Sequence, residues 1–215
     1  MTPLHDVPLY YKGLRQEVRA FLPERFGTLL DVGCGAGSFG LNLKSDFGAE
    51  VWGIEIVDEM AKLAAERLDH ALSGDCMELI PTLPEGHFDV VTYTDVLEHL
   101  VRPDLALEAT KRILKPEGVV VASLPNLRYW PAFKRLLLDA DFPQEDSGIF
   151  DRTHLRFFTE KSMRQLFEEN GWEVIKMGGV NAYVSIGMRV ANVLAMRKLR
   201  DMKFLQYVIV ARPKR

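Results

Sequence analysis

The stretch Leu29-Leu30-Asp31-Val32 runs without a break into Gly33-Cys34-Gly35-Ala36-Gly37, and no other feature of the chain narrows its fold so far. A short apolar run reads as a strand, and glycines spaced G-x-G-x-G directly after it read as a tight turn into a helix. Glycine tolerates positive φ and lets another group approach the backbone closely, so the turn is a candidate cradle for a ligand. The plainer alternative is a tight turn that holds nothing.

The same strand-then-helix alternation continues downstream. The pattern predicts strands over Thr28–Val32, Glu50–Ile56, His70–Gly74, Phe88–Tyr93 and Val119–Ser123, with late strands over Trp172–Met177 and Phe204–Val210. Helices are expected over 10–22, from Phe39 to about Ser45, from an Asp58 cap to Leu68, over Asp104–Leu114, and from a Thr159 cap to Asn170-Gly171. A short helix over Phe133–Leu138 and a long one over 182–200 complete the set. This order implies an α/β fold, a mainly parallel sheet with helices on both faces. In such sheets ligands sit beyond the carboxyl ends of the strands, where the strand order reverses. The residues just after each strand are therefore the ones to inspect.

Composition limits what the ligand and partners can be. The formal net charge of −3 argues against a nucleic-acid partner. Cys34 and Cys76 are the only cysteines and form no CxxC pair, so neither a structural zinc site nor a redox pair is expected. No apolar run approaches the ~18 residues of a transmembrane span, and the N-terminal stretch lacks the apolar core of a signal peptide. A cytoplasmic, single-domain protein of residues 1–215 is expected, with a homodimer left open.

Among the strand-end residues, Asp31 precedes the first glycine, where a carboxylate suits an ammonium group and is unwelcome beside a pyrophosphate. The dinucleotide fingerprint G-x-G-x-x-G is missed, because Ser38 stands at its third glycine. Glu55 ends the second strand, where a carboxylate can accept from ribose hydroxyls. Asp75 follows the third strand and is either an acceptor for an exocyclic amine or a helix N-cap. Thr94-Asp95-Val96-Leu97-Glu98-His99 follows the fourth strand. Thr94 and Asp95 should border the ligand, and Glu98 and His99 offer a base or one side of a metal site.

Together, Leu29–Gly37, Glu55, Asp75 and Asp89–Leu100 resemble the class I S-adenosylmethionine-dependent methyltransferases. More narrowly, the chain looks like the bacterial group associated with glycosyltransferases and cell-surface polysaccharide pathways. That narrower likeness rests on Tyr10-Tyr11, Ser123-Leu124-Pro125-Asn126 and Phe150–Thr159. The resemblance implies a Rossmann-like seven-stranded sheet whose last strand is antiparallel, and the segment over about 125–158 reads as a small lid insertion. It implies S-adenosylmethionine (SAM) as cofactor and S-adenosylhomocysteine (SAH) as product. It assigns Tyr11, Asp31, Gly33, Cys34, Gly35, Gly37, Glu55, Ile56, Asp75, Cys76, Thr94 and Asp95 to the cofactor, and a small-molecule acceptor to the lid. Thr94-Asp95-Val96-Leu97 departs from the D/N/S-P-P-Y/F signature of enzymes acting on adenine or protein amides.

A hydroxyl acceptor needs a base, and histidine titrates in the useful range. His154, in the polar run Asp151-Arg152-Thr153-His154, is the first candidate, with Asp151 to orient it and His99 as a further catalytic candidate. The run reads equally as a hydrogen-bonded corner that fixes the loop. Tyr129, Trp130, Phe133, Phe142 and Phe150 either line the lid or pack as core. Arg197, Lys198, Arg200 and Lys203 read as a basic helix end set against the macrodipole. Rival readings are a dinucleotide oxidoreductase, a non-catalytic SAM sensor or assembly protein, and an RNA or protein methyltransferase.

Overall fold

The computed structural model describes residues 15–215. Seven strands form one sheet in the order β3-β2-β1-β4-β5-β7-β6. They are β1 (Thr28–Val32), β2 (Glu50–Glu55), β3 (His70–Ser73), β4 (Phe88–Thr94), β5 (Leu114–Pro125), β6 (Trp172–Ala182) and β7 (Phe204–Pro213). All pairs from β3 across to β5 are parallel, and β7 runs antiparallel to both β5 and β6. The chain is a Rossmann-like α/β protein with its last strand reversed, as the motif likeness implied.

The central strands are apolar on both faces because both faces are covered. Alternate side chains divide between two cores with the period of two that a strand imposes. Leu30, Val91, Tyr93, Val120 and Ala122 enter one core, and Leu29, Val90, Val119 and Val121 enter the other. The first core is closed by α4 (Cys76–Leu79), α5 (Pro103–Ile113) and α7 (Glu160–Glu169), through Leu107, Ile113, Met163 and Phe167. The second is closed by α1 (Gln16–Arg19), α2 (Ser38–Phe47) and α3 (Asp58–Ala65), through Val18, Phe39, Leu43 and Ala64.

Several predicted boundaries move. Of the helix expected over 10–22, the described part forms only over Gln16–Arg19, and residues 10–14, with Tyr10 and Tyr11, lie outside the described residues. The helix expected to begin at an Asp58 cap has Val57 at the cap and Asp58 inside it, bonded to the Ser73 hydroxyl. Strand β5 starts at Leu114, directly after α5, and a register shift opposite Phe88 and Val90 takes up the added length. The helix expected over 182–200 is confined to α8 (Ile186–Leu194), because Met196 and Arg197 adopt left-handed backbone at φ 49° and 64°. The basic cluster therefore lies past the helix end, outside its last turn. Helix α7 matches its expectation: Thr159 and Ser162 form a reciprocal capping box, and Gly171 at φ 77° follows its end.

Between β5 and α7 the chain makes α6 (Trp130–Leu138) and an irregular return loop. This segment has a small core of its own, built from Ala132, Ile149 and Phe150 with Tyr129 and Leu136 against them. Buried Asn126 anchors its start by donating to the carbonyls of Asp201 and Phe204, both at 3.0 Å. The return is tied down by the amides of Leu155 and Arg156, which donate to the Glu98 carbonyl at 2.9 and 3.1 Å.

The fully buried Phe167 shows how the fold depends on these cores. Phe167→Ala should lower unfolding free energy by about 3–5 kcal/mol, read as a fall in urea midpoint, with cofactor affinity in the folded protein unchanged.

Candidate active site

Strand order reverses between β1 and β4, because the chain leaves β1 toward β2 and β3 and then returns to pair β4 on the other side. The turns beyond β1 and β4 consequently diverge and leave a cleft, the usual ligand position in such sheets. A cavity of about 910 Å³ occupies it. Arg15, Asp31, Gly33, Cys34, Gly35, Glu55, Ile56, Asp75, Cys76, Thr94, Asp95, His99, Asp151 and Thr153 are among the residues that line it. Residues scattered from the first helix to the return loop thus meet at one opening.

The glycine turn is built for close approach. Gly33 and Gly35 have φ of 72° and 54°, and their turn is pinned by the amides of Gly33 and Cys34 donating to the Ile54 carbonyl. A methyl group on Gly33 would collide with Val96 Cγ2 at 2.5 Å. Gly37, at φ 73°, has a different job. It abuts Ala64 and Leu68, where a Cβ would come within 3.1–3.2 Å, so it permits α2 to pack on α3 and does not line the cavity.

Glu55 is buried, and its two oxygens accept from the amides of Gly35 (2.8 Å) and Val57 (3.0 Å). The carboxylate is thereby locked to the turn it serves, with lone pairs left to face the cavity. Asp75 caps α4 by accepting from Met77 N at 2.8 Å, and it also lines the cavity. Ile56 is 69% exposed beside it, an apolar surface suited to a flat ring. Burial pushes the Cys76 thiol up to about 12 and the Cys34 thiol higher still, so both remain thiols that pack and do not attack.

Asp31 is 1% exposed and stands opposite Thr92 in the β1–β4 register, with the Thr92 hydroxyl donating to Oδ1 at 2.7 Å. Burial pushes its carboxyl up to about 6, against the opposing pull of Thr92 and Arg15. Asp95 has left-handed backbone at φ 56°, uncommon for a side-chain-bearing residue and a mark of functional sites. It is held there from several sides: Ser123 Oγ (3.0 Å) and Gln206 Nε2 (2.8 Å) donate to Oδ1, and Arg15 pairs with Oδ2.

The three catalytic candidates do not share one position. His99 and Asp151 line the cavity, and Thr153 Oγ1 lies 3.1 Å from His99 Nδ1 and donates to Asp151 Oδ1. His154 sits one layer behind, ring centroid 4.8 Å from that of His99, in a small recess shared with Glu98 and Gln206. Its Nδ1 lies 3.1 Å from the Ile149 carbonyl, and burial holds its pKa below the ordinary imidazole value. Burial, with the Asp95 charge added, pushes the Glu98 carboxyl well above the usual carboxylate range. None of the five lid aromatics lines the cavity: Phe150 is buried in the small core, and half-exposed Phe142 stacks edge-on against Phe150 and Phe157. The polar residues Asp146, Asp151, Arg152 and Thr153 line the cavity in their stead. Sequence reasoning missed Arg15, Thr92 and Gln206, whose partners are distant in sequence and leave no local pattern.

The methyltransferase domain family matches residues 4–177. The chain belongs to that family. It is a class I SAM-dependent methyltransferase, and SAM is its cofactor. The ubiquinone biosynthesis O-methyltransferase of Burkholderia pseudomallei is 27% identical over 195 residues, spanning 88% of this chain and 81% of that protein. A SAM-dependent methyltransferase from Archaeoglobus fulgidus shares the fold with a TM-score of 0.66 at 23% identity, covering 91% of this chain and 90% of that one. Phosphoethanolamine N-methyltransferase 2 of Haemonchus contortus, solved with SAM bound, superposes with a TM-score of 0.63 at 17% identity, over 92% of this chain and 51% of that one. The cavity fits the group: a buried carboxylate for an ammonium, a second locked carboxylate for vicinal hydroxyls, side-chain-free backbone between them, and apolar surface beyond. Among the described residues, no helix is long and apolar enough to cross a membrane.

The expected contact of Asp31 with the cofactor ammonium carries a definite pH dependence. Its raised pKa means the free protein takes up a proton there below about pH 6, while a cationic ligand requires the ionised form. Affinity for SAH should be flat above pH 7 and fall toward tenfold per pH unit below about 6. Calorimetric titration between pH 5 and 8 checks this, and Asp31→Asn should bind weakly with that dependence gone.

Proposed function

We propose that the enzyme transfers the SAM methyl group to a hydroxyl of a small polar molecule. The observation that carries this reading is the continuity of the cavity, from the recess around Glu55 and Asp75, past Asp31, to a polar wall of His99, Asp151, Arg152 and Thr153. In this reading Asp31 faces the methionine ammonium, with the backbone of Gly33, Cys34 and Gly35 along the methionine end. Glu55 accepts from the ribose hydroxyls, Ile56 and Cys76 pack on adenine, and Asp75 accepts from its amine. Thr94 and Asp95 border the reacting end. Bound SAM supplies a methyl group on a sulfonium, which departs as a neutral sulfide.

The protein's own contribution is alignment and exclusion of water. Segment 126–158 acts as the lid, its return loop carrying the polar wall. The acceptor proton must leave as oxygen attacks, and His99 is the imidazole on that wall, with Asp151 linked to it through Thr153. Oxygen as the methylated atom draws support from the relatives named as ubiquinone biosynthesis O-methyltransferases. A sugar-like acceptor is favoured by the polarity of the wall and by the motif likeness to enzymes of polysaccharide pathways. A phenolic acceptor is the second reading, favoured by the relatives' names.

Two experiments test this. Incubation with SAM and a panel of nucleotide sugars, catechols, RNA and protein should release SAH with small hydroxyl compounds only; release with RNA or protein alone overturns the reading. Glu55→Ala removes the acceptor for the two ribose hydroxyls, and at about 1.5–3 kcal/mol per bond the Kd for SAM should rise by roughly a hundredfold or more. His99→Gln should lower kcat by about 10²–10⁴ with the Kd for SAM unchanged.

A further inference from the structure

Behind the polar wall, Glu98, His99 and His154 each offer a ligand atom within 4.8 Å of the others. Glu98 is 1% exposed, and neither of its carboxylate oxygens has a hydrogen-bond partner among the described residues. A buried carboxylate with nothing donating to it is costly and calls for a missing ion or water. The nearest imidazole nitrogen, His154 Nε2, is 3.9 Å from Glu98 Oε1, too far for a hydrogen bond. Two ligands that share one tetrahedral cation at about 2.0–2.2 Å each lie roughly 3.3–3.6 Å apart, so a bound ion draws these two atoms together by a few tenths of an ångström.

The two histidines are oriented in the manner of metal ligands. His154 Nδ1 lies 3.1 Å from the Ile149 carbonyl, and His99 Nδ1 lies 3.3 Å from the Thr153 carbonyl. A ring N–H donated to a carbonyl fixes the tautomer and leaves Nε2 with its lone pair free, the usual outer support of a metal-bound imidazole. Asp95 and Asp151 line the same recess and add negative charge around it.

We propose that Glu98, His99 and His154 form a binding site for one divalent first-row transition ion, with open coordination positions toward the SAM cavity. Two imidazoles and one carboxylate suit zinc and its neighbours better than magnesium or calcium, which favour oxygen ligands. His99 lines the cavity, so the ion stands where it can bind the acceptor oxygen. This mechanistic part rests on the O-methylation reading above. The ion lowers the pKa of the bound hydroxyl, the proton passes to solvent, and the oxygen takes the methyl group as the carbon–sulfur bond breaks. His99 is then a ligand and need not itself hold the proton.

The test is titration of chelator-treated protein with Zn²⁺ by calorimetry, and with Co²⁺ by visible absorption. One equivalent should bind, with cobalt bands characteristic of nitrogen and oxygen ligation. Glu98→Gln, His99→Gln and His154→Gln should each weaken binding at least a hundredfold. His99 is only partly buried, so its variant keeps the test decisive if Glu98→Gln does not fold. Absence of stoichiometric binding, or binding unaltered in the variants, overturns the site. Methyl transfer that persists under chelation overturns the metal's role and leaves the O-methylation reading intact. Metal binding without methylation of any hydroxyl overturns that reading and leaves the site intact.

Discussion

The seam between β1 and β4 governs everything the molecule does. The chain leaves these two neighbouring strands in opposite directions, so their turns separate and the sheet opens at its carboxyl edge. The bond from Thr92 to Asp31 joins two buried polar side chains across the seam. Helices cover both faces of these strands, so the backbone offers a ligand no other approach. An ionisable group kept in so dry a place is unfavourable for the isolated protein, and a cationic ligand reverses that balance.

Around the seam, the site is assembled from strand ends that hold each other in place. Glu55 at the end of β2 braces the turn after β1, and Ser123 near the end of β5 and Gln206 on β7 brace Asp95 after β4. The left-handed backbone at Asp95 persists because partners on several elements fix its side chain. Such cross-bracing makes the cavity preformed, and a preformed site spends little of its binding energy on ordering itself.

The parts legible in the sequence were those governed by local rules. Strand periodicity, the glycine turn and the acids just past the strands followed from spacing, and topology then brought Asp31, Glu55, Asp75 and Asp95 to one opening. The end of the late helix was missed because non-glycine residues took unusual backbone there, at Met196 and Arg197. The orientation of segment 126–158 was illegible for another reason. Its aromatic and polar residues alternate without a clean period, so composition did not reveal that Phe150 faces inward and Thr153 faces the cavity. The approach of His154 to Glu98 depends on the whole return loop closing over the turn after β4, and no local pattern encodes it.

The small separate core under segment 126–158 bears on how such an enzyme diversifies. Ala132, Ile149 and Phe150 hold the segment's shape without contributing to either main core. Exchanges on its polar, cavity-facing loop leave the sheet untouched, and exposed changes of that kind shift stability by only about 0.5 kcal/mol. On the proposed reading of this segment as the acceptor-facing lid, acceptor preference can therefore drift across descendants of one ancestor while the cofactor machinery stays constant, a division of labour written into where the packing stops.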